Sequence, residues 1–481
     1  METSAVAIPP KLVKEFGRIV GPQHVDIGPA ELLVFESDGL TLHSTRPGCV
    51  VYPASTEECS AIVKACVRTG VPLVPRGAGT GLSGGAISDG GVILQLSRMN
   101  QILALHPEDH YAVVQPGVVN NYLSLQAKPY GLEFAPDPSS QIACTIGGNV
   151  AENAGGPHTL KYGVTSNHIL GQTVVLPNGD TAALGSFFPV RTGPNFSTFL
   201  AGTEGTLAIT TEIVVRLVPV AQTVKTMLAI YESAEGATDS ASAILAAGVL
   251  PTAMELIDNL CIQAVEAHIK AGYPKDAAAV LLIELDGEEE LVAPEIAVVE
   301  KACKNHGAVS FRTAKNEEER QRLWRGRKHA VGSLGKITPA FYTNDGVVPR
   351  SRLTEILKLT YETAEKHNLR VANVCHAGDG NIHPLILYDP DSAEEQQRAI
   401  TCSEEILIAC VEMGGSITGE HGVGVEKRNM ISRMFTADDI AHMVRLRDGL
   451  NPAGILNPGK IFPNGGGCGE VRSATTIPSE A

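Results

Sequence analysis

The hydrophobic pattern of the first hundred residues predicts a β-α-β unit and one further strand. Residues 49–53 and 71–75 are short, continuous apolar runs of the length typical of buried strands. Between them, residues 57–68 carry apolar positions at partly helical spacing, and Thr56 is a residue type that caps helix N-termini. Residues 92–96 form the next apolar run. Strands that alternate with a helix indicate an α/β arrangement in this region.

The pattern changes in the second half of the chain, where glycine becomes rarer. Apolar, strand-like runs at 226–231 and 279–285 are each followed by a helical pattern, at 234–247 and 289–306. This alternation predicts an α+β domain with an antiparallel sheet, and 481 residues are enough for two cores. We therefore divide the chain into residues 1–220 (core about 46–220), 221–425, a helical segment at 426–463 that returns to the first domain, and a disordered tail at 464–481.

The composition excludes several classes of partner. Lys and Arg number 38 against 53 Asp and Glu, so the net charge of −15 argues against binding to nucleic acid or anionic lipid. No apolar run reaches the roughly 18 residues of a membrane span, and the N-terminus lacks a secretory-signal pattern. The ten cysteines include no C-x-x-C pair, which indicates reduced thiols and no iron–sulfur cluster. We expect a cytoplasmic protein that reaches a membrane only through a partner.

Three glycine-rich loops interrupt the first half of the chain. The first, residues 76–86, contains the letters G-x-G-x-x-G, but a strand follows it where a dinucleotide-binding Rossmann unit needs a helix. A loop between strands exposes many backbone N–H groups that can bind an anion. The other two loops are residues 136–156 and 202–205. Each alone is most simply a set of tight turns, whereas three in one α/β region favour a long phosphate-bearing cofactor other than NAD.

Two histidines in the second half form a candidate metal site. Asp379-Gly380 is typical of a two-residue hairpin turn, and such a turn places His376 directly across from His383. Facing Cβ atoms lie about 4.5–5.5 Å apart, so the two imidazoles can hold one ion. Glu420, in a Gly-Glu-His-Gly sequence downstream, offers a carboxylate. Two histidines and one carboxylate with open positions suit a divalent ion that binds substrate.

Together these motifs resemble the FAD-dependent 2-hydroxy-acid dehydrogenases with the vanillyl-alcohol-oxidase (PCMH) type of FAD-binding fold, over roughly residues 46–463. The similarity is greatest to the group of glycolate oxidase catalytic (D) subunits and of D-lactate and D-2-hydroxyglutarate dehydrogenases. It implies an α+β, two-domain protein in which an FAD-binding domain is joined to an antiparallel-sheet substrate (cap) domain. The FAD-binding positions that it implies are Pro75, Arg76, Gly77, Ala78, Gly79, Thr80, Gly81, Pro138, Ser139, Gly147, Gly148, Asn149, Asn153, Gly155, Gly156, Glu204, Gly205, Ile209 and Asn457.

Two departures from the wider family refine this expectation. Relatives that attach FAD covalently through the first loop carry a histidine about where Thr80 stands, so we expect non-covalent FAD. Relatives that act on hydroxyglutarate tend to carry a lysine about where Thr343 stands. Without that cation a second substrate carboxylate has no partner, which favours a small monocarboxylate such as glycolate or D-lactate.

Five side chains are assigned hypothetical roles in transferring the α-hydride of a hydroxy acid to flavin N5. His376, His383 and Glu420 are the expected ligands, and zinc or manganese suits them. His421 is the candidate general base, because a neutral imidazole near pH 7 can accept the hydroxyl proton. Arg327 is the candidate carboxylate clamp, although Arg325 stands two residues away.

Alternative functions stay open at this stage. A D-2-hydroxyglutarate-type dehydrogenase would keep all the motifs, and a metal-only hydrolase would use the histidines without flavin but leave the glycine loops unexplained. An inactive scaffolding subunit would not need the intact metal motif. The electron acceptor is expected to be a quinone, a soluble carrier or a partner subunit, since the chain has no cysteine cluster to pass electrons onward. A homodimer is equally open.

Overall fold

The computed structural model of the protein describes residues 8–187 and 193–463, so the tail predicted at 464–481 lies outside the described residues. Within them, the first half of the chain forms short strands and helices around the glycine-rich loops. These elements are α1 (Pro10–Val20), β1 (Val25–Asp26), α2 (Pro29–Leu33), β2 (Cys49–Val51), α3 (Thr56–Thr69), β3 (Leu73–Arg76), β4 (Val92–Gln95), β5 (Ile102–His106), β6 (Tyr111–Val114), α4 (Asn120–Ala127), β7 (Leu132–Glu133), α5 (Ile146–Glu152), α6 (Thr159–Tyr162), β8 (Ile169–Val175), β9 (Thr181–Gly185), α7 (Phe196–Phe199), β10 (Ile209–Arg216) and β11 (Val218–Pro219).

The predicted β-α-β unit is present, and its strands are parallel. β2 and β3 both pair with β4, which lies between them, and β1 extends the sheet. The predicted cap of α3 is wrong by one residue. Ser55, in extended conformation, accepts the N–H of Glu58 through its hydroxyl, and Thr56 is the first helical residue. The first glycine-rich loop connects the parallel strands β3 and β4 without a helix, as expected.

A second, antiparallel sheet lies in the first half, with strand order β5-β6-β10-β8-β9, and β7 pairs with β11 in a separate two-stranded sheet. α5 packs against it, because Ile146 and Val150 of this helix share a core cluster with Ile213 and Val215 of β10. Thr145 caps α5 by accepting the N–H of Gly148. The second glycine-rich loop is thereby fixed to a rigid sheet.

The second half of the chain is a single large sheet covered by helices on both faces. The sheet has eight strands in the described residues, in the order β15-β12-β14-β13-β18-β19-β16, with β17 paired to β19. Its elements are β12 (Thr223–Tyr231), α8 (Ala234–Ala246), β13 (Ala253–Asp258), α9 (Asn259–His268), β14 (Ala279–Gly287), α10 (Glu289–Asn305), β15 (Ala308–Thr313), α11 (Glu317–Lys328), α12 (Ala330–Leu334), β16 (Ala340–Thr343), β17 (Gly346–Val347), α13 (Leu353–Lys366), β18 (Arg370–His376), β19 (Asn381–Tyr388), α14 (Ala393–Glu412) and α15 (Ala437–Leu450).

Successive side chains of each strand point to opposite faces of the sheet, and both faces are buried. Met227 and Ala229 of β12 belong to one core cluster, with α8, α10, α13 and α14, whereas Leu228 between them belongs to the other, with α9, α11 and α12. A sheet covered on both faces needs nearly continuous apolar strands. A buried acid inside such a strand, such as Glu255 in β13, is therefore unusual.

The hairpin that carries the two histidines has a different register from the predicted one. β18 and β19 are joined by four residues, 377–380, and His376 pairs with Asn381, while His383 lies opposite Val374. The prediction of a two-residue turn is wrong. The N–H groups of Asp379 and Gly380 both donate to the carbonyl of His376, and these bonds close a longer loop. The histidines are diagonal neighbours on the same face, and their ring centroids are still only 5.1 Å apart.

The last described residues return to the first sheet. The helical segment predicted at 426–463 is helical only in part, since a 3₁₀ turn covers Arg428–Arg433 and α15 ends at Leu450, just before Pro452. Beyond it the chain runs beside β3, where Leu73 donates to the carbonyl of Ile455 and Asn457 donates to the carbonyl of Leu73.

None of the helices in the described ranges is both long enough and apolar enough to span a membrane.

Candidate active site

One cavity of about 570 Å³ joins the glycine-rich loops to the histidine hairpin. It runs between the two halves of the chain and is large enough for an extended organic cofactor together with a small ligand. Fifteen of the nineteen predicted FAD-binding residues line it: Pro75, Arg76, Gly77, Ala78, Gly79, Thr80, Gly81, Pro138, Ser139, Gly147, Gly148, Asn149, Glu204, Gly205 and Ile209.

The other four predicted FAD-binding residues lie behind the cavity wall. Asn153 ends α5 in the left-handed region and accepts the N–H of Ser166, and Asn457 donates to the carbonyls of Gly85 and Glu204. Gly155 and Gly156 also do not line the cavity. Asn457 thus connects two of the loops that line the cavity.

The first glycine-rich loop fits a pyrophosphate group. Within the described ranges, the backbone N–H groups of residues 77–82 donate no hydrogen bond to another protein group, so they are available to an anion. Gly79 has φ +67°, and a Cβ there would overlap the Arg76 guanidinium. That guanidinium donates to the carbonyls of Ser37 and Ala86 at 2.9 and 3.1 Å, so Arg76 braces the loop.

The candidate metal ligands converge as predicted. Nε2 of His376 and Nε2 of His383 lie 3.3 and 3.2 Å from the same oxygen, Oε1 of Glu420. Each ring is held by its other nitrogen. His376 Nδ1 bonds Oε1 of Glu255 at 2.8 Å, and His383 Nδ1 bonds the carbonyl of Asn344 at 3.2 Å. Donation from both Nδ1 atoms leaves an Nε2 lone pair on each ring, directed at one point.

The charges around this point suit a cation. Burial alone would lower the pKa of His376, but the carboxylates of Glu255 and Glu420 raise it well above the ordinary value. The same negative potential that favours a proton on Nε2 attracts a divalent ion, which competes with that proton. His376, His383 and Glu420 therefore fit a divalent metal.

His421 lies beside this group of ligands. Its ring stacks on that of His383, with centroids 5.1 Å apart, and it lines the cavity. Burial lowers the pKa of His421 to about 4, so the ring is a neutral base near pH 7. Asp345 fixes the backbone here, accepting the N–H of His421 at 2.9 Å.

The structure distinguishes the two candidate arginines. Arg325 of α11 is exposed, whereas Arg327 is 4% exposed and lines the cavity. Arg327 donates through Nε and Nη2 to Oε2 of Glu255, at 2.6 and 2.5 Å. Its Nη1 has no hydrogen bond to protein among the described residues and is available to a ligand.

Two important acids were missed by sequence reasoning. Glu255 is fully buried and links Arg327 to His376, and its position inside the apolar strand β13 was a usable signal. Asp345 is also fully buried and accepts backbone amides from residues 419–421. Asp345 follows a short strand, and its partners are some 75 residues away, so no local pattern indicated it.

The fold is of the PCMH type. The structure is similar to that of p-cresol methylhydroxylase (TM-score 0.79, 19% identity, covering 94% of this chain and 96% of that one). It is similar to 4-ethylphenol oxidase from Gulosibacter chungangensis as well (TM-score 0.78, 19% identity, 94% and 97% covered). Residues 47–185 match the FAD binding domain family, and residues 220–461 match the C-terminal domain of FAD linked oxidases.

The sequence relatives narrow this class to one family. The chain is 45% identical to the glycolate oxidase subunit GlcD of Escherichia coli (strain K12) over 441 residues, 92% of this chain and 88% of that one. It is 39% identical to GlcD of Bacillus subtilis (92% and 95% covered) and 33% identical to a probable mitochondrial D-lactate dehydrogenase of Danio rerio (94% and 92%). The chain belongs to the FAD-linked oxidases, in the group of GlcD and the D-lactate dehydrogenases, and is an FAD-dependent oxidoreductase.

These findings confirm the predicted family, the α+β PCMH-type fold and the FAD cofactor. The roles assigned to single residues remain predictions.

Proposed function

We propose that the protein oxidises a small D-2-hydroxy monocarboxylate, glycolate or D-lactate or both, to the 2-oxo acid. The observation that carries this proposal is the cavity that joins the FAD loops to His376, His383, Glu420 and His421 and that Arg327 also lines. The names of the GlcD and D-lactate dehydrogenase relatives support the substrate class.

Each side chain of the site has a separate role in the proposed reaction. FAD in the cavity would supply the acceptor for the α-hydride of the substrate, and zinc or manganese held by His376, His383 and Glu420 would supply a Lewis acid that lowers the pKa of the substrate hydroxyl. His421 takes the hydroxyl proton on its neutral ring. Arg327 pairs with the substrate carboxylate through Nη1, while Glu255 holds the rest of the guanidinium. Glu255 also fixes the ring of His376, so one acid orients two of the groups involved.

The walls near the histidines favour a substrate with one carboxylate. Arg76 and Arg327 are the lysine or arginine residues that line the cavity in the described ranges, and Arg76 lies at the flavin loop. Thr343, Phe341 and Val374 are among the lining residues at the other end. A second carboxylate, as in 2-hydroxyglutarate, would lose its hydration there without gaining a cation.

The remaining assignments are proposals of the same kind. We propose non-covalent FAD because Thr80 cannot form the histidyl bond. We also propose domains at 1–220 and 221–425, with 426–463 returning to the first domain, because the second family match begins at residue 220. The protein passes electrons to a quinone, a soluble carrier or a partner subunit, and we place it in the cytoplasm. The word subunit in the name of the GlcD relatives supports a complex.

A panel of hydroxy acids tests the function. Under anaerobic conditions, glycolate or D-lactate should bleach the flavin absorbance, whereas L-lactate and D-2-hydroxyglutarate should do so slowly or not at all. Stopped-flow absorbance measures the rates. A colourless protein would support a metal-only hydrolase, and a yellow protein that none of the acids bleaches would support a scaffolding role.

Removal of the metal should abolish turnover without releasing FAD. In the described part of the chain the three ligands form no hydrogen bond with residues 77–82, so a chelator should leave a yellow, inactive protein that Zn²⁺ or Mn²⁺ restores. Elemental analysis and dye reduction measure both properties. Full activity in protein shown to be metal-free would overturn the metal assignment.

Replacing His421, the proposed general base, should slow the chemical step without affecting FAD binding. His421→Asn keeps a planar, polar side chain but cannot accept the proton at neutral pH, so kcat should fall by roughly 10²–10⁴-fold. Visible absorbance should show bound FAD. The control is His442→Asn, on the exposed helix α15, which should behave as wild type. Persistent turnover in His421→Asn would show that another group takes the proton.

Replacing the clamp should act on substrate binding. Arg327→Lys keeps the charge beside Glu255 but lacks the planar fork of donors, so KM for the hydroxy acid should rise by about 10–100-fold, with a smaller change in kcat. Arg325→Lys is the matched control, because Arg325 is exposed on the same helix. Equal KM values in the two variants would refute the clamp.

A further inference from the structure

The segment that carries Glu420 and His421 is held by side chains from both halves of the molecule. In the second half, Asp345 accepts the N–H groups of residues 419–421, and Thr418 Oγ1 accepts that of Gly422 at 3.0 Å. The next two amides cross to the first half of the chain. Every amide from 419 to 424 is therefore bound by a side-chain oxygen.

Glu204 provides the contacts from the first half. Its Oε1 accepts the N–H of Val423 and its Oε2 accepts that of Gly424, both at 2.8 Å. The two bonds connect residues that are separated by 219 and 220 positions along the chain. Charge-assisted bonds of this kind are about twice as strong as neutral ones, and they are further favoured away from water.

The burial and the backbone conformation of Glu204 indicate that this position requires a glutamate side chain. The residue is 5% exposed and has φ +50°, a left-handed conformation that is strained for a non-glycine residue. Asn457 fixes its backbone by donating to its carbonyl. Each carboxylate oxygen accepts one of these amides, so the side chain is engaged by the 423–424 backbone.

We propose that Glu204 is a positioning residue, which holds the backbone of residues 423–424 against the flavin-binding half and so sets where Glu420 and His421 lie relative to the flavin. The proposal rests on the function proposed above for the roles of Glu420 and His421. Glu204 touches neither substrate nor the reacting atoms. Its effect on the reaction passes through the peptide backbone of two residues.

The test compares two neighbouring carboxylates in the FAD-loaded protein. Glu204→Gln keeps the side-chain shape but places an NH₂ group against one of the two amides. Glu152→Gln is the matched control, because Glu152 Oε2 also lies close to Gly422 but is buried without a hydrogen-bond partner in the described residues. The probe is Zn²⁺ alone, with its Kd measured by competition with a chromophoric chelator.

Glu204→Gln should weaken Zn²⁺ binding by about 10–100-fold and slow anaerobic flavin reduction by a similar factor, with KM changed less than about threefold. Glu152→Gln should keep the wild-type Kd for Zn²⁺. Unchanged Zn²⁺ affinity and reduction rate in Glu204→Gln would overturn the proposal. Equal weakening in the two variants would also overturn it, because local charge rather than the amide contacts would then be responsible.

Amide hydrogen exchange of the wild-type protein provides a second measurement. It tests the positioning role of Glu204 even if Glu204→Gln does not fold or if Zn²⁺ does not bind. The amides of Val423 and Gly424 should exchange as slowly as that of His421, and fast exchange would overturn the proposal. Neither this readout nor the Zn²⁺ Kd involves a hydroxy acid. A wild-type protein that no 2-hydroxy acid reduces would therefore refute the proposed function while leaving Glu204 to be judged separately.

Discussion

A carboxylate buried away from water is tolerated only while hydrogen-bond donors surround it, and Asp345 is the group on which the site depends in this way. Burial would raise the pKa of Asp345, but the positive charge of Lys427 helps to keep it below the ordinary value, and the amides of Gly419 and His421 donate to the carboxylate. Lys427 is itself fully buried and bonds Asp345 at 3.3 Å. If the 418–424 segment moved, an anion and a cation would both lose partners, so the segment has one well-defined position.

The large sheet provides the other fixed reference. Glu255, His376 and His383 stand on three adjacent strands and share the face that carries Ile257, Val374 and Leu385 in the core. Side chains on a doubly covered sheet cannot shift without disturbing two cores. The site therefore combines rigid strands, which hold the histidines, with one loop whose backbone is held by charges.

Much of this was predictable from the sequence, because the signals were local. The glycine loops and the pair of histidines are short motifs, and their chemistry follows from residue type and spacing. The hairpin register was not predictable, since Asp379-Gly380 suits both a two-residue turn and the longer loop that forms. Arg327 could not be separated from Arg325 without knowing which face of α11 is buried. Asp345 could not be identified at all, because its partners come from a distant part of the chain.

The return of the chain after α15 determines when the flavin site can form. Residues 455–457 lie beside β3, and Asn457 bonds both the first glycine loop, at Gly85, and the third, at Glu204. Every loop that faces the cavity precedes these residues in the sequence. During synthesis the edge of β3 therefore stays uncovered until residues 455–457 have emerged. Completion of the FAD pocket thus depends on a segment far downstream of the glycine-rich loops, and not on the folding of the first half alone.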